Sequence, residues 1–159
     1  MLIDIHALSH GRAASIEIET EIPAHELAVS LQEIRVDSPV HFVGRLTNAG
    51  RGAIHLEGTL SAELTGLCAR CLVPVTRPVV VAISEMFRSG MTTDGAESAD
   101  GSYGYRGYTL DLLPPLRDNL VLALPQRLLC REDCLGLCPV CGADRNTTTC
   151  GCATAEQND

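Results

Sequence analysis

Six cysteines fall between positions 130 and 152, in the segment CREDCLGLCPVCGADRNTTTCGC, and a separate pair, Cys68-Ala69-Arg70-Cys71, stands far upstream. No other feature constrains the fold as strongly. A loop-like stretch of this kind has no core of its own, so such a density of thiols argues for a metal centre that supplies the missing stabilisation. Residues 1–10 lack a basic n-region and an apolar h-region, so export is not indicated. The longest apolar runs, residues 79–83 and 120–124, fall far short of the roughly 18 residues a membrane helix needs. The expectation is a soluble, cytoplasmic protein. In a reducing compartment, clustered cysteines read as metal ligands or redox thiols before they read as disulfides.

The strongest element is Cys138-Pro139-Val140-Cys141-Gly142. Its form is that of a zinc knuckle, in which two thiolates hold one face of the ion and glycine permits the turn that aims backbone N–H groups at sulfur. Structural zinc takes four ligands in a tetrahedron. The five histidines all lie between His6 and His55, so the remaining ligands are expected from Cys130 and Cys134 on one side and Cys150 and Cys152 on the other. One thiol from each pair, and about one zinc per chain, is the expected arrangement. Cys68 and Cys71 are a candidate second metal or thiol site with three open readings: structural thiols, metal ligands that join the C-terminal thiols in a ribbon or a second site, or a redox pair. The strand expected after them does not supply the helix N-terminus that lowers a redox thiol's pKa.

The first half of the chain alternates. Ile16 and Ile18 sit between Glu17 and Glu19, and Ile54, Leu56, Leu60, Ala62 and Leu64 recur on even positions, the period of strands with one buried face. Between residues 40–47 and 53–64 lies Asn48-Ala49-Gly50-Arg51-Gly52, which closes a long antiparallel hairpin. Residues 75–83, rich in valine, read as a third long strand, and residues 24–33 as one short helix. No internal repeat is visible. Residues 88–107 turn to Gly, Ser, Thr, Asp and Ala and read as a flexible linker. Residues 108–113 look extended, and residues 115–123 form a helix whose Leu116, Leu120 and Ala123 dock on the sheet. The expected fold class is therefore α+β: a mainly antiparallel β-sheet with one or two short helices and a small C-terminal zinc-binding segment. Its parts are a β-rich domain at 1–87, the linker at 88–107, an extended segment and docking helix at 108–129, and a Cys-rich tail at 130–159.

Charge and composition narrow the function. Twelve basic residues, every one arginine, stand against 20 acidic ones for a net charge of −8, which opposes nonspecific coating of nucleic acid. Three tyrosines, two phenylalanines and no tryptophan leave few rings for a base-stacking platform. Locally, Arg70, Arg77 and Arg88 outnumber Glu63 and Glu85 across residues 61–88, so Arg70 and Arg77 are candidate contacts to a phosphate or acidic partner. No GxSxG elbow, Walker loop, HExxH or strand-borne GxGxxG occurs, so no catalytic residue and no small-molecule substrate are assigned.

Several of these pieces occur in one order. CARCL at residues 68–72 is followed by LDLLPPLRDNLVLALP at 110–125, then Cys130, DCLGLCPVCGADRN at 133–146 and a closing CGC. This order resembles the YceD family, the large ribosomal RNA accumulation proteins of bacteria and plastids, over roughly residues 60 to 152. The resemblance implies a nonenzymatic ribosome biogenesis factor that supports synthesis, processing or stability of large-subunit (23S) ribosomal RNA. It also suggests that the Cys-rich tail is a structural option and that the CxxC region lies nearer the shared function. The acidic charge favours a ribosomal protein or a large-subunit ribosomal precursor as partner, with local or indirect rRNA contact and no membrane. A redox-controlled zinc-binding chaperone, releasing zinc on oxidation of a CxxC or CxC pair, is the alternative.

Overall fold

The structure, a computed structural model, describes residues 1–31, 33–90 and 101–154. In chain order the elements are β1 (Leu2–Asp4), α1 (His6–Ser9), β2 (Ser15–Ile22), α2 (Ala24–Leu27), β3 (Ser30–Leu31), β4 (Ile34–Val36), β5 (Val40–Gly50), β6 (Ala53–Leu67), β7 (Pro74–Ser89), β8 (Ser102–Tyr105), β9 (Thr109–Asp111) and α3 (Leu113–Ala123), with a short 3-10 turn at Gly151–Thr154. The result is the α+β arrangement the alternation predicts, mainly antiparallel with few short helices. Among the described residues, no helix is long and apolar enough to cross a membrane.

The seven-stranded sheet is organised by β6, whose even residues Ile54, Leu56, Leu60, Ala62 and Leu64 are all buried. One edge of β6 pairs with β5 and then with β4, and the other pairs with β7 along its whole length, all antiparallel. Beyond them β2 pairs with β5, β3 with β4, and β8 runs parallel to the end of β7. A separate two-stranded sheet joins β1 to β9. Gly44 and Gly58 face each other across the β5–β6 ladder, and a Cβ on Gly58 would lie 2.5 Å from the Val43 carbonyl oxygen and 2.7 Å from the Gly44 Cα. The Phe42 ring covers this pair and is itself fully buried, filling with one aromatic the space that two missing side chains leave.

Helix α3 begins two residues earlier than the docking helix read from the pattern, with Pro114 and Pro115 in its first turn, where a missing N–H leaves no bond unmade. Leu116 and Leu120 are fully buried against the sheet, and Asn119 donates to Glu85 of β7. The Arg117 guanidinium clamps the carbonyls of Leu27 and Glu26 at 2.6 and 3.0 Å, fastening α2 to α3. Where one helix was expected over 24–33, α2 stops after four residues: Ala28 takes a left-handed backbone with φ of 49°, and the chain re-extends as β3.

The expected linker divides as well. Residues 88 and 89 complete β7, Ser102–Tyr105 form β8, and residues 91–100 lie outside the described ones. Tyr103 and Tyr105, both buried, point inward on either side of Gly104, so β8 is a strand whose glycine hides its alternation. A single apolar cluster runs from Ile5 through the sheet and α3 to Cys134. Sheet, docking helix and the start of the tail therefore share one core.

Candidate metal centres

The eight cysteines, all free thiols, gather into two tetrads, Cys68/Cys71/Cys130/Cys134 and Cys138/Cys141/Cys150/Cys152. Within each, the four sulfurs lie within 4.8 Å of one another.

The first tetrad grows from the connection between β6 and β7. Here the Cys68 N–H donates to the Val73 carbonyl at 2.8 Å and the Leu72 N–H returns to the Cys68 carbonyl at 2.9 Å. The second pair of CxxC cysteines repeats the same turn: the Cys138 N–H donates to the Ala143 carbonyl at 2.8 Å and the Gly142 N–H to the Cys138 carbonyl at 2.9 Å. The residue after each second cysteine has positive φ, 60° at Leu72 and 73° at Gly142. The sequence announced the second turn by its glycine and concealed the first, because leucine occupies a backbone region that normally selects glycine.

Hydrogen bonds bring the tail to the first turn. The Ala69 N–H donates to the Leu128 carbonyl and the Leu137 N–H to the Arg70 carbonyl, at 2.8 and 3.0 Å. Arg70 Nη1 donates to the carbonyls of Cys134 (2.7 Å) and Glu132 (3.3 Å), and Arg77 Nη2 to those of Leu129 (2.9 Å) and Cys130 (3.3 Å). The two arginines singled out as partner contacts thus brace the backbone that carries Cys130 and Cys134. Gly136 passes so close that an added Cβ would sit 3.0 Å from the Arg70 carbonyl oxygen.

This tethering explains a difference from the sequence-based expectation. Cys130 and Cys134 were expected to give one thiol to the knuckle, and Cys150 and Cys152 the other. Instead Cys130 and Cys134 both close on Cys68 and Cys71, and Cys150 and Cys152 both close on Cys138 and Cys141. Asn146, which the sequence reading passed over, stands between the two groups. Its side-chain oxygen accepts from the Leu135 N–H at 2.8 Å and from Arg131 at 2.7 Å, and its Nδ2 lies 3.4 Å from the Cys134 sulfur. The signal for it was the Asp144-Arg145-Asn146 spacing, an Asx turn in which Asp144 Oδ1 accepts from the Asn146 backbone N–H at 2.9 Å.

The sulfur spacing suits a metal. A tetrahedral site with bonds of about 2.3 Å puts neighbouring sulfurs about 3.8 Å apart. Cys68 and Cys134 are 3.8 Å apart and Cys71 and Cys130 3.6 Å, well beyond the roughly 2.05 Å of a disulfide. Electrostatics point the same way. Burial opposes ionisation of Cys68, yet N–H groups of Cys130, Cys71 and Arg70 outweigh it and bring the thiol down to about 6. N–H groups of Cys141 and Val140 do the same for Cys138, also to about 6. Against burial, the Asn146 side chain and the Gly136 N–H bring Cys134 down as well, whereas burial and then Cys134 push Cys130 up to about 12, and Cys141 followed by burial pushes Cys152 to about 12. Each turn prepares one thiolate and resists further negative charge, a balance that a divalent cation reverses.

The two sites differ in setting. Cys68, Cys71 and Cys134 belong to the apolar core and Cys130 packs against it, whereas none of the second tetrad does, and Cys141 is exposed.

Comparison with known proteins follows this division of the chain. The family model described as large ribosomal RNA subunit accumulation protein YceD matches residues 56–159. The chain belongs to the YceD family. The stretch matched by the YceD model begins within β6 and takes in both tetrads whole. Uncharacterized proteins of Mycobacterium bovis and Mycobacterium tuberculosis are each 34% identical over 147 residues, covering 89% of this chain and 69% of theirs. An uncharacterized protein of Mycobacterium leprae is 26% identical over 144 residues, covering 89% of this chain and 66% of its own. No solved structure matches.

Proposed function

We propose that this protein is a nonenzymatic ribosome biogenesis factor that supports accumulation of large-subunit (23S) ribosomal RNA in the cytoplasm, with structural zinc in both cysteine tetrads. The observation that carries this reading is the YceD match over residues 56–159, which encloses all eight cysteines. Zinc is the metal whose preference the donor sets suit: four sulfurs per site, with no fifth ligand among them and spacing suited to a tetrahedron. Four bound thiolates would fix the turn after β6 to the tail and present one rigid surface to a large-subunit precursor or one of its basic ribosomal proteins.

Depleting the protein in its own host and measuring the ratio of mature large-subunit to small-subunit ribosomal RNA tests the role. A selective fall in the large-subunit species is expected, and an unchanged ratio would overturn it. Metal analysis of purified, tag-free protein should find two zinc ions per chain.

A further inference from the structure

The end of the sheet remote from the thiols exposes three arginines in an otherwise acidic molecule, and residues 91–100, which lie outside the described ones and join Gly90 to Gly101, bring Asp94, Glu97 and Asp100 into the same part of the sequence. Three segments meet at that end. Residues 5–16 carry α1 and the turn after it, residues 46–56 the tip of the β5–β6 hairpin, and residues 101–110 the strand β8 and the turn into β9. Together they hold Arg12, Arg51, Arg106, His6, His10, His55 and Tyr108 and no acid, while Asp4, Glu17, Glu57, Asp100 and Asp111 flank them directly in sequence; of these, Glu57 pairs with Arg45 and Asp111 with the N-terminal ammonium.

Hydrogen bonds hold the segments together. Asn48 Nδ2 donates to the Leu8 carbonyl at 3.1 Å, joining the hairpin to α1. The Tyr105 hydroxyl donates to the Gly52 carbonyl at 3.1 Å, joining the hairpin tip to the residue before Arg106. The Arg12 N–H donates to the Ala7 carbonyl at 2.8 Å, and the Ile5 N–H to the Tyr108 carbonyl, also at 2.8 Å. Arg12, Arg51 and Arg106 are all exposed, and their side chains make no hydrogen bond or ion pair with another described residue. Elsewhere most arginines are engaged: Arg45 pairs with Glu57, Arg131 with Asp133, and Arg70, Arg77 and Arg117 with backbone carbonyls.

Two further observations mark this end. Arg51 occupies a tight turn with φ of 53°, next to Gly52 at 73°, a turn in which asparagine followed by glycine is the relaxed choice. A strained position therefore presents a long cation at the outermost point of the hairpin. At the same end, His6 stacks on His10 with ring centres 4.3 Å apart, and Tyr108, nearly half exposed, contacts both at 4.8 and 5.1 Å. His10 Nδ1 is tied to the His6 carbonyl at 3.0 Å, which fixes its ring. The nearest described carboxylate in sequence, Asp4, already accepts the His6 backbone N–H.

We propose that this end of the sheet binds single-stranded RNA, with Arg12, Arg51 and Arg106 on phosphates and the His10–Tyr108 edge stacked on a base. Unpaired arginines fit phosphate oxygens bidentately, and an exposed ring stack offers a π-face to any base. A basic protein partner is disfavoured by the same charges. The inference deepens the ribosomal RNA reading and rests on it, but four of its residues, His6, His10, Arg12 and Arg51, lie outside the stretch that carries the family match.

The test is fluorescence anisotropy of the full chain with a labelled single-stranded RNA of about 16 nucleotides, titrated over a range of salt. Binding should weaken with salt with a log–log slope of about −0.7 per phosphate contacted, so about −2 for three arginines. Replacing Arg12→Gln, Arg51→Asn and Arg106→Gln together should remove that slope and weaken binding by about tenfold or more. Asn relaxes the turn, so thermal stability should hold, which separates lost binding from lost folding. Tyr108→Leu should weaken binding on the order of tenfold without changing the slope. A control set, Arg35→Gln, Arg127→Gln and Arg145→Gln, removes the same three charges elsewhere and should leave affinity nearly intact.

Absence of binding by the unaltered protein, or equal weakening in both sets, would overturn the inference. So would an Arg12/Arg51/Arg106 variant that retained RNA affinity but no longer recovered ribosomal proteins, which would make this a protein-docking face. Depletion of the whole protein is a separate measurement: a fall in large-subunit RNA without RNA binding in vitro would sink this inference and leave the proposed function standing.

Discussion

Substituting one ligand in each tetrad should affect stability very unequally. Take Cys68→Ser in the first and Cys150→Ser in the second. A metal joining Cys71 to Cys130 closes a separation of 59 residues, which in the chain-entropy treatment of cross-links is worth about 4 kcal/mol. Closing Cys141 to Cys150, only nine residues apart, is worth about 2.5 kcal/mol on the same treatment. The larger figure acts on global unfolding, because Cys68, Cys71 and Cys134 lie in the apolar core that also holds β6, β7 and α3. The smaller acts on the tail alone, since no member of the second tetrad belongs to that core. In Cys68→Ser, a fully buried position also gains a hydroxyl, which adds in the same direction.

For a chain of this length, each kcal/mol moves Tm by about 2–4 °C. Circular dichroism melts of Cys68→Ser should therefore fall by about 10 °C or more. Cys150→Ser should leave the main transition within a degree or two, yet strip hydrogen-exchange protection from the amides of residues 138–152. Each variant should retain a single zinc. Equal Tm losses in the two variants, or a larger one in Cys150→Ser, would refute the reasoning, because the second site would then be coupled to the core in a way its packing does not provide.

Two substitutions away from the sulfurs test the local geometry. Leu72→Gly, at a half-exposed position with φ of 60°, should raise stability by about 0.5–1 kcal/mol, since relief of left-handed strain exceeds glycine's entropic disadvantage; a fall in Tm would contradict the turn described. Gly58→Ala should lower stability by about 2–3 kcal/mol, because its Cβ would meet the Val43 carbonyl and the Gly44 backbone, which cannot move without parting β5 from β6; an unchanged denaturant midpoint would count against that register.

What was legible in the sequence was local. Even-numbered apolar residues specified the inward face of β6, and Gly142 marked the knuckle turn. Eight cysteines, two sets of four, left open that Cys68 and Cys71 join C-terminal thiols, but which thiols they meet was not legible, because nothing within a few residues of them encodes contact with a segment 59 residues away. That contact is made by backbone carbonyls at Leu128, Leu129 and Cys134, which any side chain would supply. The observed grouping departs from one thiol per flanking pair for the same reason: spacing along the tail ranks neighbours by proximity in sequence, whereas Arg70 and Arg77 hold the backbone of Cys130 and Cys134 against the turn after β6. β8 was hidden by composition. Gly101, Gly104 and Gly107 dilute a strand whose only inward side chains of any size are Tyr103 and Tyr105. The α2 helix was overextended because Ala28, a good helix former, sits in a left-handed conformation that its identity does not signal.

The two functional readings occupy opposite ends of one strand. β6 leaves the hairpin tip at Ala53, two residues beyond Arg51, and ends at Leu67, one residue before Cys68. Fifteen residues at the usual strand rise separate those ends by about 45 Å before twist. At that distance a surface substitution at the arginine end and a ligand substitution at the thiol end share no neighbour, so their effects on stability should be independent. The long ladder of β6 with β7 joins them as a rigid spacer, fifteen residue pairs in unbroken register. RNA affinity lost through the arginines can therefore be read as loss of a contact, and stability lost through the cysteines as loss of a cross-link. The sheet between them gives a physical reason to expect that neither will masquerade as the other.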